Sequence, residues 1–241
     1  MPPTTPSNES ANDGEQRLCQ WFSNRGWSPF PFQKAAWTAH LDGASGLIHS
    51  PTGLGKTYAA LGGALIAAAN NASHSRPGAN RVLWITPLRA LANDTAHALE
   101  RPLSAMQLDW QVDIRHSDVS SYRKQQQRKR LPEILITTPE SATLLLSYPE
   151  SPELFRKTGI VIVDEWHELL GSKRGVQTEL VLARLRHWNP ELVVWGLSAT
   201  LGNLREAAHR ICGTAIKEPR IISADANKII EIRTLLPAAI E

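Results

Sequence analysis

The segment Ser50-Pro51-Thr52-Gly53-Leu54-Gly55-Lys56-Thr57 restricts the fold more than any other part of the chain. It follows an apolar run, Gly46-Leu47-Ile48-His49, and opens an Ala-rich stretch from Tyr58 to Ala69. A strand that feeds a tight turn and then a helix gives such a loop a mechanism. Small residues let successive backbone N–H groups converge on phosphate oxygens, and the helix N-terminus adds positive potential. Thr52, Gly53 and Gly55 then form the cradle, Lys56 reaches the β- and γ-phosphates, and the Thr57 hydroxyl ligates Mg²⁺. Ser50 stands where the pattern has its first glycine. Taken alone, the segment also reads as a Gly-rich turn before a core helix.

A second feature narrows the choice. Gly159-Ile160-Val161-Ile162-Val163 is a continuous apolar run, as expected of a strand buried on both faces. It ends in Asp164-Glu165-Trp166-His167. A carboxylate at the C-terminal end of a buried parallel strand points into the crevice where α/β sheets bind ligands. Asp164 is placed to hold Mg²⁺ and Glu165 to orient or deprotonate an attacking water. The plain alternative is an acidic helix start favoured by the helix dipole.

The rest of the chain alternates between the two periods. Helices are expected at 15–25, 32–41, 56–69, 88–106, 119–129, 139–146, 177–187 and 204–212. Strands are expected at 46–50, 81–86, 110–115, 133–137, 159–164 and 192–198, with a polar loop at 70–80. Such alternation implies an α/β fold, a mostly parallel sheet with helices on both faces. Residues 1–14 are polar and rich in Pro, Ser and Asn, and read as a disordered lead-in. After Gly213 the pattern changes, and 220–223 and 229–233 look like two short strands.

Composition excludes more than it assigns. At 241 residues the chain holds one large α/β domain and not two with linkers. No apolar run approaches the roughly 18 residues of a membrane span, and the N-terminus lacks a secretory pattern, so a cytoplasmic location is expected. Cys19 and Cys212 stand far apart, which offers no metal-site spacing and fits a reducing compartment. A net charge of +3 permits nucleic-acid binding without demanding it. The one dense basic segment, Arg123 to Arg130, reads first as a solvated helix face. Of the eight Trp, Trp84 and Trp195 fall in expected core strands, and Trp166 lies between Glu165 and His167.

Together these residues resemble a known family. The phosphate loop, Asp164-Glu165-Trp166-His167 and Ser198-Ala199-Thr200 stand in the order and spacing of superfamily 2 helicases of the DExH type. Thr86-Pro87-Leu88-Arg89-Ala90-Leu91-Ala92 looks like motif Ia, and Thr137-Thr138-Pro139-Glu140-Ser141 looks like motif Ib. Pro29-Phe30-Pro31-Phe32-Gln33 is similar to the adenine-reading segment ahead of the loop. The Asp-Glu-Trp-His and Ser-Ala-Thr-Leu-Gly wording most resembles Lhr-type large helicases, in particular their bacterial ligase-associated branch.

The resemblance implies a RecA-like P-loop domain spanning 15–213, with 214–241 starting a linker toward a second RecA-like domain. It implies ATP and Mg²⁺ as cofactors and 3′-to-5′ translocation on single-stranded DNA, in a DNA-repair role. Gln33 would meet the adenine edge, with Phe30 or Phe32 nearby; the alternative makes Gln33 a surface neighbour of a helix cap. Pro87, Arg89, Thr138 and Pro139 would contact the sugar–phosphate backbone, although both prolines also suit a plain helix start. His167, Ser198 and Thr200 would couple the γ-phosphate to domain movement. No arginine-finger motif is recognisable, so the isolated chain is expected to bind ATP and hydrolyse it weakly. RNA or a DNA–RNA hybrid as the polymer, and a nucleotide-binding interaction module without motor activity, stay open at this stage.

Overall fold

The computed structural model describes residues 13–71, 80–214 and 216–224. In chain order the elements are α1 (Asp13–Ser23), α2 (Pro31–Leu41), β1 (Gly46–His49), α3 (Lys56–Asn70), β2 (Val82–Ile85) and α4 (Arg89–Ala105). Then come β3 (Val112–Arg115), α5 (Ser121–Lys129), β4 (Ile134–Thr137), α6 (Pro139–Leu146), α7 (Ser151–Phe155) and β5 (Ile160–Val163). The set closes with α8 (Trp166–Leu169), α9 (Lys173–Trp188), β6 (Val193–Ser198), α10 (Leu204–Cys212) and β7 (Arg220–Ser223). The strands form one seven-stranded sheet in the order β3-β4-β2-β5-β6-β1-β7, and every pairing is parallel.

Alternation along each strand builds two cores. Val82 and Trp84 of β2, Ile160 and Ile162 of β5, and Val193 and Trp195 of β6 face one core with α1, α2, α3 and α4. Leu83 and Ile85, Val161 and Val163, and Val194 face the other with α6, α9 and α10. A strand covered on both sides needs no polar alternate, which is why these segments read as unbroken apolar runs. The layering is that of an α/β sheet with helices on both faces, as the alternation of periods predicts.

Local caps set several helix starts. The Thr138 hydroxyl accepts from Ser141 N at α6, Ser172 Oγ from Gly175 N at α9, and Asn203 Oδ1 from Glu206 N at α10. Pro31 and Pro139 occupy the first turns of α2 and α6. Two short helices, α7 and α8, have no clear sequence signal, since each spans barely a turn.

Residues 220–223, which read from the sequence as a short strand, form the sheet's edge strand β7. They pair in register with β1, Gly46 opposite Arg220 and His49 opposite Ser223. Trp166, flanked by the acidic and His positions, turns away into the second core, where its indole nitrogen donates to Ala207 O at 3.1 Å. Residues 1–12, most of the 70–80 loop and the apolar run 229–233 lie outside the described residues.

Candidate functional site

Strand order brings the motifs together. β5, β6 and β1 are consecutive neighbours, so the residues after their C-terminal ends share one crevice. These are Asp164 and Glu165, then Ser198 to Thr200, then the loop 50–57. β2 and β4 continue the row on the other side of β5 and carry Pro87, Arg89, Thr138 and Pro139 past their ends. A single edge of the sheet therefore holds every residue set that the sequence singled out downstream of Gln33.

The loop is shaped for an anion. Gly53 and Gly55 have φ of 84° and 80°, a left-handed geometry that favours glycine. A Cβ on Gly53 would meet nothing within 4 Å, so its outer face is open. Gly55 is the N-cap of α3, and the following amides begin a helix of 15 residues. Ser50 N donates to Ser198 O at 3.0 Å, which fastens the loop to the end of β6. The Lys56 ammonium donates to Ser50 O at 2.8 Å and Pro51 O at 3.4 Å, folded back along the loop. Burial pushes its pKa down, against the attraction of Glu165 and Asp164, which raises it.

The two carboxylates follow directly on the end of β5. Asp164 has its pKa pushed up to about 6, chiefly by burial and then by the neighbouring Glu165. Glu165 adopts φ 45° and ψ 46°, a left-handed conformation uncommon outside glycine. That turn lets its N–H donate to Asp164 Oδ1 at 3.0 Å. Glu165 Oε2 is buried without a hydrogen-bond donor from the protein. It lies 3.4 Å from His167 Nδ1, near enough for attraction but outside hydrogen-bond geometry. The same His167 nitrogen is 3.3 Å from Ser198 Oγ, so His167 stands between the carboxylate and the end of β6. Thr200 is exposed two residues further on.

The sequence reading missed His49. It ends β1 opposite Ser198, and burial, Lys56 and His167 all hold its pKa down. A histidine immediately before the loop was the available signal, but one position carries no spacing pattern.

Gln33 is 1% exposed and already engaged. Its Oε1 accepts from Phe30 N at 2.8 Å and its Nε2 donates to Gly55 O at 3.0 Å. The structure thus places it as a brace between the start of α2 and the phosphate loop, with Phe32 in the core and Phe30 about half exposed. The two rings stack at 6.0 Å.

Among the residues expected on a polymer, Arg89 is exposed but occupied. Its Nη1 donates to Ser117 Oγ at 2.6 Å and to Asp118 Oδ1 and Oδ2 at 2.8 and 2.9 Å. Thr138 is 4% exposed and its hydroxyl caps α6. Pro139 is buried, and Pro87 is exposed little enough to count with the core. On this geometry the Thr138 and Pro139 side chains are turned inward, and Arg89 is exposed but paired.

No helix among the described residues is long and apolar enough to cross a membrane. The residues 30–207 match the family model for DEAD/DEAH box helicases. The ATP-dependent helicase Lhr-Core of Saccharolobus solfataricus is 36% identical over 91% of this chain and 26% of its own length. The Lhr helicase/uracil glycosylase of Escherichia coli is 30% identical over 91% of this chain and 15% of its own. A solved structure of Mycobacterium smegmatis helicase Lhr, bound to ssDNA and AMP-PNP, matches with a TM-score of 0.78 and 31% identity. That match covers 88% of this chain and 28% of the solved one. The chain thus spans roughly a quarter or less of these relatives. With the phosphate loop, the paired carboxylates and the β6 triplet gathered on one sheet edge, the chain belongs to the DEAD/DEAH box helicase family.

Proposed function

We propose that this chain is the first RecA-like domain of an ATP-dependent DNA helicase of Lhr type, moving on single-stranded DNA in DNA repair. The observation that carries the reading is the continuous row of strand ends, β1-β6-β5 for nucleotide and β2-β4 for polymer. Adjacent strands of one rigid sheet let a change at a phosphate be felt at the strand-binding loops.

Mg²⁺–ATP fits the residues present. The open Gly53 face suits an anion, the Lys56 ammonium lies along the same loop, and burial raises the pKa of Asp164, which a cation would favour in its ionised form. Bound ATP supplies the phosphoryl group to be passed to water, and its Mg²⁺ neutralises charge that develops on the phosphates. Lys56 would exchange the loop carbonyls for the phosphates, and Thr57 and Asp164 would hold the ion. Glu165, an acceptor lacking a donor, orients the attacking water and takes its proton. His167 is the coupling element: one nitrogen faces both Glu165 and Ser198, and it can satisfy only one acceptor at a time. A second RecA-like domain of the longer protein supplies the missing arginine.

The test is ATP binding and turnover by this chain with and without single-stranded DNA, beside Lys56→Ala. Nucleotide binding that needs Lys56, with turnover far below that of a longer protein including the second domain, is the expected result. Failure of the wild-type chain to bind nucleotide would remove the basis of the reading. A parallel comparison of DNA and RNA strands of one sequence, at fixed salt, decides the polymer.

A further inference from the structure

The basic helix α5 has no part in the nucleotide site, yet it forms one wall of a groove of about 760 Å³ against α6. Arg115, Tyr122, Lys124, Arg128, Glu140 and Ser141 are among its lining residues. The floor is unusual. Arg115 is only 2% exposed, and its Nη1 donates to Lys124 O and Gln127 Oε1, each at 3.0 Å. None of the ion pairs among the described residues includes it. Its hydrogen bonds go to neutral acceptors and the Asp113 carboxylate acts on it only at a distance, so an anion at the groove would add the direct opposite charge that this guanidinium lacks.

The rim agrees with the floor. Lys124 and Arg128 add positive charge, and the one lining carboxylate, Glu140, is held by Arg174 at 2.6 Å. Arg128 is paired with Glu150 at 2.7 Å and lies 3.7 Å over the Tyr148 ring, so it stiffens the wall more than it offers a free charge. Tyr122 is 72% exposed, with no side-chain bond among the described residues. A planar ring kept in solvent beside a cationic floor is the pairing that single strands use, phosphate on the cations and base on the ring.

Position makes the groove continuous with the expected track. β3, which ends in Arg115, is the sheet edge next to β4, and β4 leads into Thr138 and Pro139. Arg89 reaches across to the loop after β3 through Ser117 and Asp118. A strand lying over the ends of β2 and β4 would run next into this groove.

We infer that the α5–α6 groove is a further subsite for the same single-stranded nucleic acid, with a phosphate over Arg115 and Lys124 and a base against Tyr122. The inference rests on the proposed strand-binding function. It predicts a longer footprint than the strand-end residues alone provide.

The test compares binding of a short strand of about 4 nucleotides with one of about 12, by anisotropy, in the 241-residue chain. Tyr122→Ala should weaken the long strand about 5- to 100-fold and leave the short one unchanged. Lys124→Gln should reduce the salt slope for the long strand by about 0.7. Arg115→Gln, checked for folding by circular dichroism, should lower long-strand affinity as well; the two surface variants carry the test if it unfolds. Inorganic phosphate should compete only weakly. Strong competition that erases the long-strand advantage would replace the strand by free phosphate and overturn the inference. Wild-type binding of the long strand, unaffected by Tyr122→Ala and Lys124→Gln, overturns the groove and spares the proposed function. Binding of neither strand overturns both.

Discussion

Replacing Asp164 by Asn should stabilise the protein while weakening the Mg²⁺–nucleotide binding proposed for it. The carboxyl is pushed from 3.8 up to about 6, mainly by burial and secondly by Glu165. At about 1.4 kcal/mol per pH unit, the ionised form costs the folded state up to about 3 kcal/mol. Relaxation around the charge brings a working figure of about 2 kcal/mol. Asn keeps the acceptor that receives Glu165 N–H at 3.0 Å, so the local turn survives. For a domain of this size the gain corresponds to about 4–8 °C in melting temperature. The pH dependence has a definite sign. Because the folded pKa is raised, the folded state binds the extra proton, and wild-type stability falls as pH rises through the window from 3.8 to about 6. The variant lacks that loss. The gap between the two should therefore be full above about pH 7 and close below about pH 4. Thermal unfolding across this range, without nucleotide, measures it. Beside it, titration with a fluorescent nucleotide and Mg²⁺ should show weaker binding by the variant. An unchanged or lower melting temperature at neutral pH, or a gain that persists in acid, would refute the reasoning.

Other perturbations address the polymer path, the coupling and the packing. Asp118→Ala should free Arg89 from its 2.8 Å ion pair and raise affinity for single-stranded DNA, with a steeper salt dependence in anisotropy. His167→Ala should leave nucleotide binding near wild type but sever the link from Glu165 to Ser198. In a protein that includes the second domain, strand stimulation of ATP turnover should then disappear. Gly62→Ala should destabilise the fold although alanine favours helices by about 1 kcal/mol. Its Cβ would overlap the Trp37 indole nitrogen, which donates to Tyr58 O at 2.9 Å. Overpacking at such a contact costs about 1–3 kcal/mol, and a lower urea midpoint with unchanged slope is the expected readout.

Much of this chain is legible in its sequence because its signals are local. Lys56 begins α3 where the loop pattern puts it, and the 139–146 and 204–212 helices start at Pro139 and after Asn203 as cap chemistry requires. The buried strands declared themselves by unbroken apolar runs, since both faces are covered. What escaped was decided at a distance. The helix expected at 177–187 starts earlier, at Lys173, because Ser172 caps it at a point with little apolar pattern. In α4 the buried face runs through Ala92, Ala96 and Leu99, while Leu91, Thr95 and Ala98 sit at its margin.

The site divides the same way. Sequence order alone determined that a phosphate loop, a pair of strand-end carboxylates and a Ser-Ala-Thr triplet exist, because each is a short motif whose chemistry depends on neighbours in the chain. Only the sheet decided that β5, β6 and β1 lie side by side, that His167 stands between Glu165 and Ser198, and that His49 joins them. It also decided that Gln33 braces the loop and that Arg89 is held by Asp118. Parallel strands are joined by long crossovers, so residues far apart in sequence meet at one edge, and no local pattern encodes which strand lands beside which.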